Sequence, residues 1–108
     1  MLLLLTTVAI VGIIANMKAV KIVDYRIVLP NGILVQAVVW ELPAPVPPTT
    51  HGFKYRLAAI KDGQRVLGFD NERGKGDHRH DGNTESAHVF VSVEQLLKDF
   101  TEAVKELK

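Results

Sequence analysis

Asp70 to Asp81 reads DNERGKGDHRHD, and it is the one stretch of the chain dense in groups that can do chemistry. It holds four acids (Asp70, Glu72, Asp77, Asp81), three bases (Arg73, Lys75, Arg79), His78 and His80, two glycines and no apolar residue. His78 and His80 are separated by one residue. In an extended segment both point to one side, with Asp77, Arg79 and Asp81 on the other. Two imidazoles on one side suit an acid and a base, because the imidazole group can both give and take a proton. They equally suit two metal ligands, with Asp70, Glu72 or Asp77 as a third, in a set that zinc, manganese or nickel accepts. No cofactor is required by the sequence. Arg73, Lys75 and Arg79, beside Gly74 and Gly76, can hold a phosphate, the glycines allowing close backbone approach and the guanidinium groups binding in bidentate fashion. Gly74-Lys75-Gly76 is not a Walker loop, since the glycine, lysine and Ser/Thr run ahead of a helix is missing.

Histidines with arginine and lysine are the parts of metal-independent RNA cleavage. A base takes the 2′-hydroxyl proton, an acid protonates the leaving oxygen and cations stabilise the charged phosphorane. His78, His80 and Asp77 are the catalytic candidates, and Arg73, Lys75 and Arg79 the phosphate ligands. The same composition also describes a solvated loop whose charges pair with one another. His51 and His88 lie outside the stretch, and neither is expected to act.

The totals limit what surrounds this stretch. With 108 residues, 47% of them hydrophobic, the chain has room for one domain with a real core. The absence of cysteine excludes a disulfide framework, thiolate zinc sites and cysteine nucleophiles. A net charge of +1, from 13 basic and 12 acidic residues, supplies no global attraction to nucleic acid or an anionic membrane, so any such contact must be local.

Residues 1–16 open with a run (MLLLLTTVAIVGIIA) that is almost wholly apolar. It falls short of the roughly 20 residues that span a bilayer, and no base precedes it as in a secretory signal. It reads as an extension ahead of a start at Met17, with a membrane anchor or signal and a packed strand or helix as the rival readings. Residues 17–108 read as a single domain.

The elements that must position the polar stretch are mostly strands. Val20 to Leu29 alternates apolar and polar residues, and Pro30-Asn31-Gly32 is a turn. Ile33 to Leu42 is a nearly continuous apolar run, expected as a central strand paired with the first. Pro43 to Pro48 holds four of the five prolines and reads as a stiff crossover. Phe53 to Ile60 alternates again, Asp62-Gly63 marks a tight turn and Arg65 to Phe69 returns. His88 to Val91 is expected as a short last strand. Ser92 to Lys108 is a helix, with Ser92 as N-cap, Gln95 completing a capping box and Val91 with Leu96 as a hydrophobic staple. Val93, Leu96, Leu97, Phe100, Val104 and Leu107 form its apolar stripe. The expected fold is α+β: an antiparallel sheet of about five strands with one C-terminal helix packed on a face.

The run from Arg65 through DNERGKGDHRH, together with Tyr55-Arg56-Leu57 and Phe90-Val91-Ser92-Val93-Glu94-Gln95-Leu96, resembles the signature of the TumE family of toxin–antitoxin toxin components. The resemblance covers about Val23 to Leu107. It implies a cytoplasmic prokaryotic toxin made beside an antitoxin with a helix-turn-helix DNA-binding domain. Ribonuclease action is the reading of the residues, with RNA as the partner. The alternative is a non-catalytic binding module whose charged loop docks a partner protein or nucleic acid. No stable membrane partner is expected, and the exposed sheet edges leave a homodimer open.

Overall fold

The computed structural model describes residues 19–107; the expectations for residues 1–16 therefore lie outside the described residues. Among the described residues six strands, β1 (Val20–Val28), β2 (Leu34–Glu41), β3 (Phe53–Lys61), β4 (Gln64–Glu72), β5 (Gly76–Asp81) and β6 (Thr84–Ala87), precede one helix, α1 (Val93–Lys105). The strands form a single antiparallel sheet in chain order, each pairing with the one before it.

Period 2 decides which residues lie under the helix. In β2, Val35, Ala37 and Val39 are buried, while Leu34, Gln36, Val38 and Trp40 are only half-buried. The nearly continuous apolar run therefore has one sealed face and one face that no second layer of the described residues covers. Tyr55, Leu57 and Ala59 of β3 and Leu67 and Phe69 of β4 continue the sealed face, and Leu96, Phe100, Ala103 and Val104 of α1 close it. Burying Leu96 and Phe100 fully contributes roughly 1.5–3 kcal/mol each. Ser92 caps α1 by accepting the Gln95 N–H at 3.0 Å. The expected capping box is only half made, because the Gln95 side chain donates to Asp99 at 2.7 Å. The expected staple is also absent: Val91 stays 73% exposed.

The polar stretch is not a loop. Asp70 to Glu72 finish β4, Arg73 to Lys75 turn, and Gly76 to Asp81 form β5. The last strand is Thr84–Ala87 instead of His88–Val91. Asp81-Gly82-Asn83-Thr84 closes a two-residue hairpin, with Gly82 at φ +60°, a conformation glycine supplies freely. The strand ends there because the chain must leave the sheet plane to start α1. On the way His88 N–H still bonds the Asp77 carbonyl at 3.1 Å.

Candidate functional site

Strand β5 divides the charged stretch between the two faces of the sheet. Pairing sets His78 opposite Asp70, itself opposite Arg56 on β3, and sets His80 opposite Gly68 and Glu85. These residues occupy the face away from α1. The residues between them pair with the core: Asp77 with Asn71, Arg79 with Phe69 and Asp81 with Leu67. The sheet thus brings His78, His80 and Asp70 together and separates them from Asp77 and Arg79.

On the open face each histidine is held through one ring nitrogen. His78 Nδ1 lies 2.9 Å from the Gly76 carbonyl. A carbonyl only accepts, so Nδ1 carries the proton and a neutral ring keeps its lone pair on Nε2. That Nε2 faces Glu85 Oε1 at 3.5 Å, and Lys75 Nζ stands 3.9 Å from the same oxygen. His80 Nε2 lies 3.2 Å from Asp70 Oδ1, so the carboxylate accepts from Nε2–H and leaves Nδ1 as the basic atom. Asp70 Oδ2 in turn faces Arg65 Nη1 at 3.6 Å. Arg65 reaches it by lying across Gly68, where a Cβ would sit 2.9 Å from Arg65 Cδ. The two histidines, two residues apart on a strand, stand about 7 Å from each other along it.

On the helix face the same strand is knitted into the protein. Tyr55 donates its hydroxyl proton to Asp77 Oδ1 at 2.5 Å, and His51 Nε2 lies 2.9 and 3.1 Å from the two Asp77 oxygens. His51 Nδ1 accepts the Phe53 N–H at 3.2 Å, which puts the ring proton on Nε2, aimed at Asp77. The His51 ring stacks on Phe90 at 3.8 Å between centroids. Burial, then the hydrogen bond to Asp77 and its charge, with Asp70's charge last, push the Tyr55 hydroxyl far above its ordinary range. Beside it Asn71 extends the β3–β4 ladder with its side chain, accepting Tyr55 N–H at 2.9 Å and donating to the Phe53 carbonyl at 2.7 Å.

Arg79 sits over the Phe69 ring at 5.3 Å and gives Nε and Nη2 to the Asp81 carboxylate at 2.9 and 3.0 Å. Those bonds with Asp81, first among the causes, raise its already high pKa. Of the three expected phosphate ligands, Arg79 is therefore on the other face from the histidines. Arg73 and Lys75 are in the β4–β5 turn. The proline-rich connection docks there, with Gly74 N–H bonding the Pro47 carbonyl at 3.1 Å.

Among the described residues no group of three or more His, Asp or Glu side chains is placed to hold a metal ion. Asp70 and His80 are together, but Glu72 lies one pleat further along β4 and His78 faces Glu85. Sequence reasoning missed Arg56, Arg65 and Glu85 on the open face, and it missed His51 and Tyr55 as the partners of Asp77. Alternation in Phe53 to Ile60 already put Arg56 and Tyr55 on opposite faces; only the register shows which face meets the histidines.

The family model described as Toxin TumE matches residues 12–108. The chain belongs to the TumE toxin family. It is accordingly a toxin component of a toxin–antitoxin system, and an antitoxin is its implied partner. No curated protein and no solved structure matches it. No helix among the described residues is long and apolar enough to cross a membrane.

Proposed function

We propose that this toxin acts in the cytoplasm on RNA as a small ribonuclease, with its chemistry on the open face of β5. The observation that carries the reading is the pair His78 and His80, each fixed through one nitrogen and each with its other nitrogen unbonded by the first partner. His78 Nε2 takes the 2′-hydroxyl proton, and the imidazolium that results faces the Glu85 carboxylate. His80 acts in its doubly protonated form: Nε2–H stays on Asp70, and Nδ1–H gives its proton to the leaving 5′-oxygen. A gap of about 7 Å along the strand admits a phosphate between the two rings. Lys75 and Arg73 at the turn, with Arg56 and Arg65 on the sheet, meet the charge of the phosphorane. Asp77 acts from the other face by holding β5 in place; it is a positioning residue.

The test is RNA incubated with the purified chain. Cleavage that is lost in His78→Ala and in His80→Ala, and kept in Asp77→Asn, supports the reading. RNA left intact by the wild-type chain across pH and divalent metals removes it and leaves a toxin that acts by binding.

A further inference from the structure

A cleft of about 380 Å³ opens at the end of the sheet, between the proline-rich connection and the start of β3. Its walls are apolar, with Pro43, Val46 and Phe53 among them, and its rim carries Lys54, Glu72 and Arg73. Lys54, Glu72 and Arg73 are exposed and make no ion pair among the described residues. Lys54 and Glu72 stand on the same face as Arg56, Asp70 and His78, one pleat or about 7 Å further along their strands. We propose that this cleft is the base pocket of the toxin, taking one unpaired nucleobase of a single-stranded RNA next to the phosphate that His78 and His80 face. The inference rests on the RNA reading above and gives it a specificity determinant.

The chemistry of the rim selects the ligand. A flat base suits apolar walls that include an aromatic ring, and its phosphates need cations. Lys54 and Arg73 supply these as two free side chains. Asn71, at the floor, is buried and bonds the backbone of β3 through both its side-chain oxygen and nitrogen. Glu72 is the exposed carboxylate on the rim and is placed to read a base edge. An ionised carboxylate only accepts, so it pairs with an exocyclic amine such as cytosine N4–H2 and is repelled by uracil O4. The pocket therefore favours cytidine over uridine.

Amide chemical shifts of the full chain, titrated separately with cytidine 3′-monophosphate, uridine 3′-monophosphate and inorganic phosphate, test this. The expected result is that cytidine monophosphate shifts the amides of Val46, Phe53 and Arg73 and binds roughly tenfold more tightly than uridine monophosphate. Glu72→Gln, whose amide both donates and accepts, should erase that preference, while Lys54→Ala weakens both nucleotides alike. Equal shifts from inorganic phosphate and both nucleotides, confined to Lys54 and Arg73, overturn the base pocket; so does a cytidine preference that survives Glu72→Gln. Nucleotide shifts in the cleft from a chain that cuts no RNA leave the pocket standing and remove the ribonuclease reading. Histidine-dependent cleavage with no nucleotide shifts in the cleft does the reverse.

Discussion

The two sides of β5 have opposite fates. Asp77, Arg79 and Asp81 lie on the α1 side and are bonded within the protein: Asp77 to Tyr55 and His51, Arg79 to Asp81 and over the Phe69 ring. His78 and His80 alternate with them and face outward, each tied down at one nitrogen. Neighbouring residues of one short strand thus serve separate ends, because a pleat sends successive side chains to opposite faces. The helix face holds the strand in register, and the open face presents what the register positions.

The contrast can be broken at several points. The largest effect belongs to the open face: His78→Ala and His80→Ala should each lower toxin activity by about 100-fold or more, the usual worth of a general acid or base. The same changes should move the urea midpoint little, since each leaves the core intact. Asp77→Ala should do the opposite. It strands the Tyr55 hydroxyl, in a residue only 2% exposed, and the His51 Nε2–H without an acceptor. Leaving the buried Tyr55 hydroxyl and the half-buried His51 N–H unpaired costs about 3 kcal/mol in urea unfolding.

Gly76→Ala attacks the start of the strand. Gly76 holds φ +80°, and a Cβ there would lie 3.3 Å from Pro48 Cγ. A left-handed alanine costs about 1–2 kcal/mol, and the shift also disturbs the carbonyl that holds His78. The smallest change at neutral pH is Tyr55→Phe, about 1 kcal/mol by thermal or urea unfolding. It sharpens the contrast at alkaline pH. Burial and Asp77 raise the folded Tyr55 pKa above its unfolded value. Its contribution is therefore fully present below pH about 10 and is lost above it as the unfolded phenol ionises first, at about 1.4 kcal/mol per pH unit. The phenylalanine variant should lose this alkaline decline.

Much of the fold was legible because its signals are local. Period-2 runs around Asp62-Gly63, and a helical stripe behind a Ser92 cap, each identify an element from a few neighbours. The strand placed at His88–Val91 failed for a reason of the same kind. Gly82-Asn83 is a two-residue hairpin signal inside polar sequence, and apolar content drew the strand past it. The site was half legible. Alternation put His78 and His80 on one side, but which side faces the helix depends on register with β4. Grouping Asp77 and Arg79 with the histidines rests on nearness in sequence, against the alternation that already sets them on the other side. The link from His51 to Asp77 crosses 26 residues and depends on the chain crossing after β6 that lays Phe90 on the imidazole. No spacing rule carries it.

The most direct test of the open-face claim is growth after induced expression of the full chain, of the His78→Ala, His80→Ala double variant and of Asp77→Asn, compared at equal soluble levels. Arrest by the wild type and by Asp77→Asn, with growth restored by the double variant, is the predicted result. Arrest by the double variant would contradict it, placing the toxic action away from the two histidines.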